Sequence, residues 1–373
     1  MRKLGTVAAT VLAASIPVAF AGPPGLTNIF TVDCNRGQTI ASALKRADLF
    51  RSPLVVTVRG TCHEFVTITR ANVTLRGDPS AEIVAPDDEH DLLTVSADKV
   101  TLENLTLTGG LTGIAQEHEP TFIAQKVVVQ DTSGVGVRVR VGDARLIGCT
   151  VQRSGGVGID VLRGGSVVVS GGSHVMDNVG AGINATRNSL VNLNNSDVMR
   201  NGAQGIVLSQ GSQGFITNQS TIAENAGNGI DVLMSQANIT GGNTIRDNGG
   251  FGIAGHGSPI TIDENTITGN QNDGVMGYIG TTLVLHGNTI SGNNGSGVRS
   301  MGNSLVQISG ATIENNASNG ITLVWGAKLI LEEPATKVSG SYHALFCADN
   351  ESSYTAMAPL DTTDTIQCTD FNH

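Results

Sequence analysis

Hydrophobic and polar positions along this chain follow a fixed beat. A glycine followed by isoleucine or valine recurs at Gly113, Gly136, Gly158, Gly182, Gly205, Gly229, Gly252, Gly274, Gly297 and Gly320, in steps of 22 to 24 residues. A second phrase, an apolar residue and two others ahead of an asparagine, keeps the same step and ends at Asn178, Asn201, Asn225, Asn248, Asn270, Asn293 and Asn316. After each glycine the side chains alternate. In Gly158-Ile159-Asp160-Val161-Leu162 the period of two sends Ile159 and Val161 to one face and Asp160 and Leu162 to the other. The column Val139, Val161, Ala185, Leu208 and Val232 is apolar throughout, as a stacked interior requires.

A repeat of this length, made of short β-branched runs broken by Gly and Asn, suits one coil of a parallel β-helix. Helical repeats need longer periods and would not tolerate the glycine. The expectation is an all-β solenoid of about twelve coils over 55–330, on the order of 55 Å long at the strand spacing. The asparagine column reads as a ladder at a turn, since Asn accepts left-handed backbone and its amide can bond the next Asn in the stack. An open stack needs covered ends. Over 38–47, Ile40, Ala43, Leu44 and Ala47 share a helical face, so residues 22–54 read as an N-terminal cap. Residues 331–373, where the glycine phrase fades, read as a C-terminal cap or tail.

Composition narrows the class. The chain has 48 glycines in 373 residues, 3% aromatic and 14% charged residues, so its core is aliphatic rather than aromatic. A net charge of −10 argues against a nucleic-acid partner. Residues 1–21 read as a signal peptide: Arg2 and Lys3 precede a short apolar run that ends in Ala19-Phe20-Ala21. No later run is long enough for membrane insertion, so the expected compartment is the periplasm or the exterior. Disulfides are permitted there, and Cys34–Cys62 and Cys347–Cys368 are expected to staple the two ends. Cys149 aligns with Ser173, Ser196, Ser220 and Asn243, a column of small residues, and reads as a buried, inert thiol.

The phrase Asn243-Thr244-Ile245-Arg246-Asp247-Asn248, followed by Gly252-Ile253 and repeated one coil away on each side, resembles the right-handed parallel β-helix superfamily over about 55–330. That superfamily includes pectate lyases, polygalacturonases and mannuronan epimerases. The resemblance implies the fold; the reaction must be argued from a site. Gly255-His256-Gly257 is similar to one polygalacturonase motif, but it is out of register, and the Asp-Asp pair and Arg-x-Lys that accompany it are missing. The paired carboxylates of glycoside hydrolysis are therefore not expected.

The outward positions of the N-terminal half carry charge. Asp87, Asp88, Glu89, His90 and Asp91 lie on one coil, Glu117 and His118 on the next, then Arg138 and Arg140, Asp160 and Arg163, and Asn184 and Arg187. His90-Asp91 loosely resembles the His-Asp pair of mannuronan epimerases, without the Asp-Pro that precedes it there. Lyases and epimerases of polyuronides remove the proton beside a carboxylate and stabilise the enolate with a cation. His90 or His118 would be the base and Arg138, Arg140 or Arg163 the cation, with Glu117, Asp160, Asn184 and Arg187 contacting substrate. Asp87, Asp88 and Asp160 could hold a calcium ion, as pectate lyases do. The plainer reading is a solvated charged face.

The C-terminal half instead points Leu233, Met234, Met276, Tyr278, Ile279, Met301, Val324 and Trp325 outward. Such a stripe asks for a cover, from residues 340–373 or another chain. A threonine column (Thr221, Thr244, Thr266, Thr289, Thr312) lacks the flat paired array of ice binding, and the eight scattered histidines argue against copper or zinc. Three classes remain: a carbohydrate-binding or scaffold solenoid, a lyase or epimerase of an anionic polysaccharide, and a surface adhesion rod.

Overall fold

A computed structural model describes residues 27–47, 52–118 and 120–368. The expected signal peptide lies outside them. Every coil contributes one strand to a 14-stranded parallel sheet, and most contribute two to a 25-stranded sheet that bends around the rest of the solenoid. We call the 14-stranded sheet the front sheet. Its strands include Val135–Arg140, Ile159–Leu162, Ile183–Thr186, Ile206–Ser209, Ile230–Leu233, Ile253–His256, Val275–Tyr278, Val298–Met301 and Ile321–Val324. All pair in parallel and in register, as in Ile159↔Ile183 and Val161↔Ala185. Alternation is as expected: Ile159 and Val161 are buried, and Asp160 and Leu162 are partly exposed.

The glycine before each front strand is a packing requirement. A Cβ on Gly182 would sit 2.5 Å from Val198 Cγ1 and 2.7 Å from the carbonyl oxygen of Gly205, and one on Gly205 would sit 2.6 Å from that of Gly229. The asparagine ladder is present. Asn178, Asn201, Asn225, Asn248, Asn270 and Asn293 each donate from Nδ2 to the Oδ1 of the next at 2.9–3.0 Å, and from the backbone N–H to the same oxygen. One detail differs from expectation. The left-handed residue is the one before each ladder asparagine (Asp177, Arg200, Glu224, Asp247), so the amide stacks while its neighbour makes the bend.

The capping helix spans Ile40–Ala47 and buries Ile40, Ala43, Leu44 and Ala47. Glu64 accepts from the N–H groups of Ile40 and Ala41 at 2.7 and 3.0 Å, which satisfies donors that a helix start leaves open and places a carboxylate at its positive end. Cys34 is bonded to Cys62 and Cys347 to Cys368. Cys149 is free and buried, and burial raises its thiol pKa.

Two expectations at the far end need correction. The front sheet has fourteen strands where about twelve coils were expected. Residues 337–367 do not fold back over the stripe: Lys337–Ser339, Leu345–Cys347, Ser353–Ala356 and Ile366–Gln367 each add in parallel to the coil before. The glycine phrase ends, but Val338, Ala344, Leu345 and Ala358 still fill the interior. Inward volume, rather than the turn phrase, continues the stack.

Candidate functional site

The outer surface of the front sheet is two columns wide, and a turn residue flanks its edge. One column runs Arg138, Asp160, Asn184, Val207, Asp231, Ala254, Met276, Arg299 and Thr322. The other begins Arg140, Leu162, Thr186 and continues Ser209, Leu233, His256, Tyr278, Met301, Val324. The residue just after each of these nine strands is left-handed: Val141, Arg163, Arg187, Gln210, Met234, Gly257, Ile279, Gly302 and Trp325, with φ from 42° to 69°. The second column and these turn residues form an edge track running along the axis.

Arg36, Arg59, Arg76, Arg138, Arg153, Arg200, Arg246 and Arg299 each lie within 4.0 Å of a carboxylate. Arg140, Arg163 and Arg187 are exposed and have no carboxylate at that distance among the described residues; Arg145, outward on the larger sheet, has none either, while Arg70 donates to the carbonyls of Ala47 and Ser52 and Arg46 lies over the Phe30 ring. Arg140, Arg163 and Arg187 occupy three successive coils of the track. Arg163 and Arg187 stack about one strand spacing apart, ~4.8 Å, where like charges oppose each other unless an anion lies between them.

The other expected site residues divide. Asn184 Nδ2 donates to Asp160 Oδ1 at 2.8 Å, and Arg138 reaches back to Asp91 at 4.0 Å. These pairs belong to the same face. His90 sits apart in an exposed bend, with Nδ1 2.9 Å from Asp87 Oδ1 and its ring against Phe65. Its hydrogen bond to Asp87 raises its pKa and lowers that of Asp87, so the imidazole leans toward the cation and away from the base. Glu117 and His118 are exposed, and His118 has φ 68°. Neither His90 nor His118 is hydrogen-bonded to an arginine among the described residues, so no base and cation are paired there. Asp87, Asp88 and Asp160 do not converge: among the described residues, the one cluster of potential metal ligands is Cys34, Cys62 and Glu64, whose sulfurs are joined in the disulfide.

One cluster escaped the sequence reading. Asp231, His256 and Tyr278 lie on three successive coils of the front face. The His256 and Tyr278 rings are 5.3 Å apart. Burial raises the pKa of Asp231, against a hydrogen bond from Asn228 and the charge of His256. A carboxyl inclined to keep its proton, within the field of an imidazole that itself meets a phenol ring, can exchange protons with a bound substrate. The signal was legible as polar residues in front-face columns, but His256 read only as part of an out-of-register Gly-His-Gly and Tyr278 as part of the apolar stripe. Further along, Asp273 is buried and holds Arg299, accepting from Nη2 at 3.1 Å and lying 2.8 Å from Nε as an ion pair. Met234, Ile279 and Trp325 stand out from the track, 65, 48 and 57% exposed.

No curated protein matches the chain. Among solved structures it is similar to the A-module of the mannuronan C-5 epimerase AlgE4 of Azotobacter vinelandii, at 15% identity and a TM-score of 0.56, over 84% of this chain and 94% of that one. It is also similar to tailspike protein 3 of bacteriophage CBA120, at 12% identity and a TM-score of 0.59, over 89% and 62%. At such identity these likenesses show the fold. The profile described as "Right handed beta helix region" matches residues 92–245 and 181–333. With its parallel in-register coils and asparagine ladder, the chain belongs to the right-handed β-helix family.

Proposed function

We propose that this protein is an exported carbohydrate-binding solenoid that holds an anionic polysaccharide along the edge track of its front sheet. The carrying observation is the trio Arg140, Arg163 and Arg187, without carboxylate partners on successive coils of one track in a chain with net charge −10, where eight other arginines lie within 4.0 Å of a carboxylate. Guanidinium groups grip carboxylates by planar two-point contacts, and a row of them along the axis suits a linear polyanion. Export is supported by two disulfides, since such bonds persist in oxidising compartments. Isothermal titration with polygalacturonate and alginate tests the reading. Binding should weaken with salt and fall about a hundredfold in Arg163→Ala/Arg187→Ala, each lost charge-assisted contact accounting for roughly 1.5 kcal/mol. Equal binding by the double variant would sink it.

A second reading, a polyuronide lyase or epimerase, is favoured by Asp231, His256 and Tyr278. In β-elimination His256 would take the proton beside the uronate carboxylate. The bond to the leaving glycosidic oxygen would break as the double bond forms, and Asp231 would give that oxygen its proton. It stands second because Arg299, the cation further along this face, is already held by Asp273. Ultraviolet absorbance of unsaturated uronates, lost in His256→Ala, would promote it. A flat trace together with no change at the uronate C5 by proton NMR would dismiss it.

A further inference from the structure

The edge track changes character along its length without changing its backbone. Its turn residues keep one left-handed conformation from Val141 to Trp325, yet they pass from Arg163 and Arg187 to Met234, Ile279 and Trp325. Glycine is the residue least hindered in that conformation, and a β-branched one is unusual there. Gly257 and Gly302 show that glycine fits this track. Met234 and Ile279 therefore carry a double cost, a strained backbone and an apolar side chain in water, and strain retained at an exposed position points to a contact.

The apolar groups have an order. Met234, Ile279 and Trp325 alternate with Gly257 and Gly302, so they stand two coils apart, ~9.6 Å. A Cβ on Gly257 would lie 3.8 Å from Met234 Cγ, and one on Gly302 would lie 3.2 Å from Ile279 Cα. The glycines thus keep low gaps between the projecting side chains. Tyr278, Met301 and Val324 floor the track beside them, partly exposed. This surface is mainly aliphatic. Sugar rings stack on aromatic faces, whereas a row of Met, Ile and Val matches a hydrocarbon chain laid along the axis. From Met234 to Trp325 the row is four coils long, ~19 Å. It continues directly, past Gln210, from the arginine row.

We infer that the ligand is an amphiphile, an acidic glycan bearing a long acyl or alkyl chain, with its acidic sugars on Arg163 and Arg187 and its hydrocarbon along Met234, Ile279 and Trp325. The inference rests on the polyanion-binding reading above and names the ligand more closely. Charge complementarity sets the direction of the bound molecule, and the continuity of the two rows makes one ligand span both.

The only tryptophan of the chain, Trp325, is the reporter. Alkyl glucuronides with octyl, decyl and dodecyl chains are titrated below their micelle thresholds, beside the neutral alkyl glucosides and polygalacturonate. The expected result is a shift of tryptophan emission to shorter wavelength. Affinity should rise about two- to fourfold per methylene, the range between half and full burial. The glucuronide should bind about tenfold tighter than the glucoside. Met234→Gly/Ile279→Gly, which places in the track the residue two of its turns already use, should flatten the chain-length dependence and leave polygalacturonate binding intact.

If polygalacturonate binds but chain length has no effect, the amphiphile is wrong and the polyanion reading stands. If polygalacturonate does not bind and the charged and neutral heads are equal, the polyanion reading falls and the inference falls with it. A concentration-dependent dimer in sedimentation that Met234→Gly/Ile279→Gly abolishes would assign the row to a second copy and overturn the inference.

Discussion

The two halves of the edge track share a backbone and differ in what they show to solvent. In the first half the left-handed turns carry Arg163 and Arg187. In the second they carry Met234, Ile279 and Trp325, with glycine between them. Behind both runs the same inward column, the residue after each coil glycine, with Ile159 and Ile183 in one half and Val275 and Val298 in the other, all fully buried. The comparison teaches that fold and function are written at different positions of one repeat. Inward residues, the coil glycine and the ladder asparagine hold the coil. The outward residue and the turn residue after it are free to vary.

If that division is right, core changes should cost the same in either half. Gly205→Ala and Gly274→Ala would drive a Cβ to 2.6 and 2.7 Å from the next coil's carbonyl, and each should lose about 3 kcal/mol in chemical denaturation. A large inequality between the two would break the comparison. Asn201→Ala and Asn293→Ala each remove a buried amide that donates twice and accepts twice. The expected cost is about 2–3 kcal/mol in both.

Surface changes should separate the halves. Removing Arg200, paired with Asp177 at 2.9 Å, should cost no more than about 0.5 kcal/mol of stability and leave polyanion binding alone, unlike the binding loss predicted for Arg163 and Arg187. In the second half, Ile279→Gly should raise the melting free energy by about 1 kcal/mol, because a left-handed β-branched residue is relieved. A loss of stability there would mean that Ile279 holds the fold and is not a contact residue.

The smallest effect is in pH. Burial raises the folded-state pKa of Asp231, so the folded protein keeps this proton where the unfolded chain has lost it. The contribution favours folding below the ordinary aspartate pKa and fades as pH rises through the elevated one. Asp231→Asn should flatten that part of the stability profile, measured by thermal melting from acid to neutral pH.

The fold was largely legible because its period is local. Glycine and asparagine phrases mark each coil, and strict alternation tells inside from outside. The far end was misread because Leu345 and Ile366 pair in register without a glycine phrase to announce them. The site was legible in part. Arg140, Arg163 and Arg187 could be placed on one face by counting, but that they lack carboxylate partners while Arg153 and Arg200 have them depends on side-chain reach across coils. Asp231, His256 and Tyr278 come from coils 22 to 25 residues apart, and only stacking brings them together.

The in-register ladder also governs how this molecule can change over evolutionary time. One whole repeat inserted or deleted at a coil glycine leaves every hydrogen bond of the stack with an equivalent partner. The separation between the arginine row and the apolar row can then vary only in whole coils, in increments of ~4.8 Å. Duplication of a single repeat would lengthen the ruler by one notch, while point substitution would change what each notch reads.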